Sequence, residues 1–132
     1  MKTAHDLVLA ARAGITELTP SQAQAWQATC GALLIDVREP DEFAAGRIQG
    51  FVNMPRGVLE MKIHQHPRVS SHSDPLAALE ALSAQPIYLL CRSGARSVLA
   101  AKSLQEMGFS KVWSVSGGFQ AWTDAGFPVE RE

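Results

Sequence analysis

The sequence predicts an α/β fold, in which buried strands alternate with helices. Three short apolar runs carry this prediction, because each is continuous rather than alternating, as in strands covered on both faces of a parallel sheet. These runs are Leu33–Asp36, Ile87–Leu90 and Val112–Val115. Residues 50–53 form a shorter candidate strand, and residues 15–18 a candidate edge strand. Helical segments between the runs favour right-handed crossover connections.

Start and stop signals place the helices. Thr19 is a plausible N-cap, and Gln22 completes a capping box around Pro20. The clearest helix ends at Gly108, a residue type that suits a left-handed cap. Further predicted helices span residues 4–13, 40–45, 75–82 and 97–107.

Length and composition indicate one globular domain. The chain has 132 residues, of which 46% are hydrophobic and 19% charged. We divide it into an N-terminal helical extension, residues 1–14, and a single domain, residues 15–132. The net charge of -1 gives no global attraction for nucleic acid or anionic lipid, so neither is an expected partner.

Cysteine content and the absence of a long apolar run predict a cytoplasmic protein. The apolar stretch at residues 7–11 is too short to span a membrane and lacks the features of a signal peptide. The two cysteines, Cys30 and Cys91, suggest no disulfide framework. We expect Cys30 to pack at the end of the helix that begins near Pro20.

The predicted site lies at the carboxyl ends of the strands, where open α/β sheets bind ligands. Asp36 ends one run, Cys91 follows another, and Gly117 and Gly118 follow a third. Of these residues only Cys91 is a nucleophile. The alternative interpretation is that Cys91 is a small buried residue of the core, but the segment that follows favours a reactive thiol.

That segment, residues 91–97, connects a strand to the start of a helix. Such a turn can aim several backbone N–H groups inward as an anion-binding nest, and the helix dipole adds positive potential. Arg92 and Arg96 are expected to add more, and Gly94 gives the backbone freedom that a tight cradle needs. Together these effects favour thiolate over thiol at Cys91.

Three segments resemble the signatures of the rhodanese family, in family order. They are residues 34–55, from Leu34-Ile35-Asp36-Val37-Arg38 to Asn53-Met54-Pro55; the loop Cys91-Arg92-Ser93-Gly94-Ala95-Arg96-Ser97; and residues 117–129, from Gly117-Gly118-Phe119 to Phe127-Pro128-Val129. The match covers about residues 15–130. One departure is Arg47, where the family often has histidine, and this leaves open whether Arg47 adds positive potential near the site.

The resemblance implies a three-layer fold with about five mainly parallel strands flanked by helices. It also implies a sulfurtransferase in which Cys91 takes sulfur from thiosulfate or another donor, forms a persulfide, and passes the sulfur to cyanide, a thiol or a protein thiol. No metal or organic cofactor is implied. By the same analogy, the substrate-binding residues are Arg92, Ser93, Gly94, Ala95, Arg96 and Ser97. Asp36 and Arg38 are supporting residues, and with Glu42 we expect them to form an ion network that orders the loop.

Two other functions compete with this one. Phosphatases and arsenate reductases also use a cysteine in an anion cradle, but protein tyrosine phosphatases place the arginine after five intervening residues, whereas four separate Cys91 from Arg96. A persulfide relay or a rhodanese-like interaction module is the second alternative.

Residues 63–74 show no useful periodicity and predict a surface loop. The loop contains His64, His66 and His72, which we expect to be solvated rather than to bind metal, because no cysteine or carboxylate accompanies them at metal-ligand spacing. Arg68, in the same loop, is expected to reach the mouth of the site.

Overall fold

A single parallel sheet organises the structure. The computed structural model describes residues 1–131, apart from the side chains of residues 27–30. Within that range the strands are β1 (Thr16–Leu18), β2 (Leu33–Asp36), β3 (Val52–Asn53), β4 (Ile87–Leu90) and β5 (Val112–Val115). They pair in the order β1-β5-β4-β2-β3, and every pairing of these strands is parallel. The predicted α/β class and parallel sheet are confirmed, with β1 at an edge.

Helices cover both faces of this sheet. They are α1 (Ala4–Arg12), α2 (Pro20–Cys30), α3 (Pro40–Ala45), α4 (Leu59–Lys62), α5 (Pro75–Ser83), α6 (Ala95–Met107) and α7 (Gly118–Asp124). None of the helices in the described part of the chain has the length and apolarity needed to cross a bilayer. The cytoplasmic location stays a prediction.

The central strands bury both of their faces, which explains their continuous apolar sequences. Ile87 and Leu89 of β4 pack into the layer that contains residues of α5 and α6. Tyr88 and Leu90 point the other way, into the layer that contains Trp122 of α7. Because side chains alternate along a strand, a strand between two helical layers needs apolar residues at every position.

The predicted helix signals form as expected. The Thr19 side chain accepts a hydrogen bond from the Gln22 N–H at 3.1 Å, and the Gln22 side chain accepts from the Thr19 N–H at 3.0 Å. Gly108 ends α6 with φ 114°, in the left-handed region that suits glycine. The side chain of Cys30 lies outside the described residues.

The prediction of a surface loop over residues 63–74 is wrong for part of that segment. Residues 63–65 and 67–69 form two short 3₁₀-helices, and Ile63, His66 and Val69 are buried. These three residues recur at a spacing of three, which is the period of a 3₁₀-helix, and they therefore share one face against the core. His66 is thus not solvated, and its Nδ1 accepts a hydrogen bond from the Arg68 N–H at 3.1 Å.

Arg68 does not reach the predicted site. Its guanidinium donates to the backbone oxygen of Gly31 at 2.6 Å and to that of Ala32 at 3.5 Å. These two residues precede β2 and lie at the amino edge of the sheet, opposite the carboxyl edge where Cys91 follows β4. The expected role of Arg68 at the mouth of the site is therefore wrong.

Helix α1 packs against α6. Val8 and Ala11 are buried beside Val98, and Leu99 borders the same cluster. The N-terminal helix thus packs on the same chain's sheet-flanking helix α6. The division into an extension, residues 1–14, and a domain, residues 15–132, stays a prediction.

Candidate active site

Cys91 begins the cysteine loop, residues 91–97, which joins the central strand β4 to helix α6. The residue is only 1% exposed, but its Sγ faces polar groups of the loop. The Gly94 N–H donates a hydrogen bond to Sγ at 3.0 Å. Gly94 has φ 99°, a backbone angle that residues with a Cβ rarely adopt, so glycine permits this turn. The loop can thus stabilise negative charge on the sulfur.

A buried chain of hydroxyl groups lies behind the sulfur. Ser97 Oγ is 3.3 Å from Cys91 Sγ, and Ser114 Oγ is 2.7 Å from Ser97 Oγ. Both serines are fully buried. Ser97 belongs to the predicted loop, whereas Ser114 is not among the predicted site residues. Its position in the otherwise apolar run Val112–Val115 could have indicated a buried hydrogen bond, because burying a hydroxyl without a partner costs free energy.

The glycine pair after β5 holds the cysteine loop in place through its backbone. The Phe119 N–H donates to the Cys91 carbonyl oxygen at 2.8 Å, and the Gln120 N–H donates to that of Arg92 at 3.0 Å. Gly118 has φ 59°, and a Cβ there would lie 2.3 Å from the Cys91 oxygen. Close backbone approach therefore excludes a side chain at this position.

Asp36 and Arg38 form a buried ion pair beside the loop. Arg38 Nε lies 3.0 Å and 3.1 Å from the two carboxylate oxygens of Asp36, and Nη2 lies 2.8 Å from one of them. Arg38 Nη2 also donates to the Gly46 oxygen at 2.8 Å, and the guanidinium carbon lies 4.2 Å from the centre of the Phe119 ring. These contacts tie the end of β2 to α3 and α7.

Glu42 of α3 pairs with Arg96 of the cysteine loop in a two-pronged ion pair. The N···O distances are 2.7 Å and 3.1 Å. The Arg96 hydrogen bonds, more than any other contact, lower the pKa of Glu42 from 4.5 to about 2, although burial opposes the shift. The carboxylate in turn raises the pKa of Arg96. Arg96 is therefore half of an ion pair, so Glu42 offsets part of the positive potential expected from Arg96.

The other predicted loop residues differ in exposure. Arg92 and Ser93 are exposed, and Ala95 is half-buried. An open depression of about 300 Å³ borders Arg92 and residues of α3 and α7. The arrangement combines a buried sulfur with an inward N–H group, a hydroxyl chain and a cationic rim. It suits a nucleophilic thiolate that reacts with small molecules entering from the carboxyl edge.

A family match covers most of the chain. The sequence model of the rhodanese-like domain matches residues 19–125. The matched range contains the whole sheet except β1, together with the cysteine loop and the glycine pair.

Curated relatives include sulfurtransferases. The chain is 35% identical over 113 residues to the thiosulfate sulfurtransferase GlpE of Ectopseudomonas mendocina, and the match covers 86% of this chain and 88% of that protein. It is 34% identical over 91 residues to the uncharacterized protein YqhL of Bacillus subtilis. That match covers 69% of this chain, which spans only 60% of the YqhL length.

Solved structures share the architecture along nearly the whole chain. A protein of unknown function from Rhodopseudomonas palustris, described as a possible tyrosine phosphatase, has a TM-score of 0.80 at 30% identity, covering 98% of this chain and 96% of its own. The polysulfide-sulfur transferase homodimer of Wolinella succinogenes has a TM-score of 0.70 at 32% identity, with 96% and 85% covered.

Proposed function

Because this chain belongs to the rhodanese-like domain family, we propose that it is a sulfurtransferase that carries sulfur as a persulfide on Cys91. The observation that carries the proposal is the surroundings of Sγ. It receives the Gly94 N–H at 3.0 Å and lies 3.3 Å from the Ser97 hydroxyl. Relatives of similar length named as thiosulfate sulfurtransferases support the class of reaction.

The proposed cycle has two nucleophilic steps. In the first, the Cys91 thiolate attacks the outer sulfur of thiosulfate, a bond forms between the two sulfurs, and sulfite leaves with the electron pair of the broken S–S bond. In the second, cyanide or a thiolate attacks the outer sulfur of the persulfide, and the electron pair returns to Sγ. Neither step needs a metal or an organic cofactor. Each is a substitution at sulfur in which the attacking group supplies the electron pair of the new bond and the leaving group keeps the pair of the broken bond.

The cysteine loop supplies binding for both steps. Backbone N–H groups of residues 92–97 would hold the persulfide and the oxygens of an anionic donor, as oxyanion holes do in other enzymes. Arg92, exposed at the mouth of the site, would attract the donor. Asp36 and Arg38 would support the loop through their buried ion pair.

Replacement of the nucleophile tests the proposal. We expect Cys91→Ser to abolish transfer from thiosulfate to cyanide while the fold is kept, because serine is similar in size and carries no sulfur. The measurements are thiocyanate formation, and intact-protein mass after exposure to thiosulfate, where the native chain should gain one cyanide-labile sulfur. Cys30→Ser is the matched control and should keep the activity. Transfer activity retained by Cys91→Ser would refute the proposal.

A phosphatase is the second candidate, since one structural relative is described as a possible tyrosine phosphatase. Two observations favour sulfur transfer instead. The loop has one residue fewer between cysteine and arginine than tyrosine phosphatases have, and the Arg96 guanidinium is occupied by Glu42. Hydrolysis of an aryl phosphate at rates far above sulfur transfer would reverse the preference.

The physiological acceptor decides between an enzyme with turnover and a persulfide relay. A relay would load Cys91 readily but turn over slowly with cyanide and small thiols, and quickly with a protein thiol. Comparison of these acceptors on the preloaded protein separates the two. Absence of any sulfur loading would favour an interaction module.

A further inference from the structure

The hydroxyl chain behind the sulfur runs from the cysteine loop into the sheet. Ser114 of β5 is the register partner of Leu89 in β4, so the two side chains lie on the same face of the sheet. Leu89 and Cys91 belong to one buried cluster on that face. Ser97, in the first turn of α6, lies between Cys91 and Ser114. The register of the sheet thus brings a hydroxyl group of β5 to the back of the cysteine loop.

The number of hydrogens fixes the direction of this chain. Each hydroxyl group has one hydrogen to donate. In the described part of the chain, Ser97 is the sole hydrogen-bond partner of the Ser114 hydroxyl, so Ser114 uses its hydrogen only by donating to Ser97. The Ser97 hydrogen is then left for Sγ, 3.3 Å away. In the opposite direction the Ser114 hydrogen would be buried without an acceptor, which costs free energy.

We propose that Ser114 is a positioning residue for the nucleophile, acting through Ser97 to hold Cys91 as the thiolate. With Ser114 donating, the sulfur accepts both from Ser97 and from the Gly94 N–H. A thiolate accepts hydrogen bonds more strongly than a neutral thiol, so this direction of the chain favours the charged form. The inference rests on the proposed function, in which the thiolate attacks the donor sulfur and is formed again when the sulfur leaves.

Burial strengthens the effect of these few groups. Ser97 and Ser114 are both 0% exposed, and Cys91 is 1% exposed. Water therefore does not compete for their hydrogen bonds, and each donor in the chain polarises the next one. The hydroxyl chain is thus able to act on the sulfur although Ser114 does not touch it.

Charged side chains of the loop and of the elements beside it also act on the sulfur. These are Arg92, Arg96, Glu42, Asp36 and Arg38. Because they stay the same in every serine variant, a change among those variants reports the hydroxyl chain.

The pH profile of the thiolate tests the proposal. All proteins carry Cys30→Ser, so that Cys91 is the only cysteine, and the thiolate is followed by its ultraviolet absorbance from about pH 5 to about pH 10. We expect Ser114→Ala to raise the midpoint of this titration by about 0.5 unit, a three-fold lower ratio of thiolate to thiol, and Ser97→Ala by about 1 unit, or ten-fold. A merely structural role of Ser114 would lower stability and leave the midpoint where it is.

A double variant shows whether Ser114 acts through Ser97. In Ser97→Ala/Ser114→Ala we expect the midpoint of Ser97→Ala alone, because without the Ser97 hydroxyl the chain no longer reaches the sulfur. A further shift in the double variant would mean that Ser114 acts on the sulfur in another way and would overturn the proposal. An unchanged midpoint in Ser114→Ala would overturn it as well.

Ser103→Ala is the matched control. Ser103 is a partly buried serine of the same helix, α6, and its hydroxyl accepts from Arg56 Nη2 at 3.2 Å. The control should leave the midpoint unchanged. A shift as large as that of Ser114→Ala would show that altered packing of α6, and not the hydroxyl chain, moves the midpoint.

Sulfur loading separates failure of this inference from failure of the proposed function. The initial rate of persulfide formation from thiosulfate is followed by intact-protein mass at one pH below the midpoint. We expect it to fall about three-fold in Ser114→Ala, together with the thiolate fraction. Normal loading with an unchanged midpoint would refute the inference and leave the proposed function standing. A shifted midpoint without a cyanide-labile sulfur on Cys91 in any variant would do the reverse.

Discussion

Two side chains of the cysteine loop, Ser97 and Arg96, have partners from distant parts of the chain. The Ser97 hydroxyl has one hydrogen, so if it donates to Sγ, the 2.7 Å hydrogen bond between the two hydroxyls must be donated by Ser114. Ser114 thus extends the buried hydrogen-bonded chain that ends at the sulfur. In the same way, Glu42 determines where Arg96 points.

The Glu42–Arg96 pair gives a prediction about stability and pH. The pKa of Glu42 is lowered from 4.5 to about 2 in the folded protein, so the pair stabilises the fold above pH 4.5 and loses this effect as the pH falls towards 2. We expect Glu42→Gln to cost about 1 kcal/mol at pH 7, since solvent screens a partly exposed pair. Urea denaturation at pH 7, 4 and 3 should show the difference from the native chain shrinking.

Glu106→Gln serves as the control, because Glu106 is exposed and the same charge is removed. It should change the free energy of unfolding by less than about 0.5 kcal/mol at each pH. A Glu42→Gln difference that is constant with pH would mean that the ion pair does not stabilise the fold.

At the scale of elements, the start of α7 acts as a clamp on the cysteine loop. Its first N–H groups bind the carbonyl oxygens of residues 91 and 92. Those carbonyls thus point towards α7, while the Gly94 N–H points at the sulfur. Since the clamp requires backbone contact, the glycine pair after β5 belongs to the site although it contributes no side chain.

Gly118→Ala tests this clamp. A methyl group there would lie 2.3 Å from the Cys91 oxygen, so the loop and α7 must separate. We expect a loss of at least about 3 kcal/mol, from the strained φ together with the lost contact, and a large fall in sulfur transfer. Gly126→Ala isolates the backbone strain, because Gly126 has φ 80° with nothing within 4 Å of an added Cβ.

The free energies of unfolding of the two variants are compared by thermal and urea denaturation. Gly126→Ala should cost about 1–2 kcal/mol and leave the transfer rate close to that of the native chain. Equal losses of stability in both variants would show that close approach between α7 and the loop is not required.

At the scale of the whole molecule, α1 completes the core around α6. Its buried residues Val8 and Ala11 cover Val98, which is itself fully buried. Gln105 of α6 also donates from Nε2 to the Gly14 oxygen at 3.1 Å. The N-terminal segment is therefore packed on the domain and should contribute to its stability.

Two matched substitutions in α1 measure that contribution. Val8→Asp would bury a carboxylate and should lower the free energy of unfolding by roughly 2–3 kcal/mol. Leu7→Asp, one residue earlier, alters a side chain that is 50% exposed and should cost less than about 0.5 kcal/mol. Similar effects of the two substitutions in urea denaturation would show that α1 does not dock on α6 in solution.

The sequence by itself determined the strands, most of the helices and the position of Cys91 between a strand and a helix. These features depend on local patterns: continuous apolar runs for β2, β4 and β5, the capping box at Thr19, and a cysteine between a strand and a helix. Such patterns act over a few residues, so they can be recognised without knowledge of the rest of the chain.

Tertiary structure alone decided the charge of the site and its surroundings. Glu42 and Arg96 are 54 residues apart, and the backbone pairing of Glu130 with Arg47 brings Arg131 to the depression beside the loop. The burial of His66 likewise follows from packing. An ion pair or a shared cavity depends on the distance between side chains from remote segments, and that distance exists only after the sheet has brought the segments to one edge.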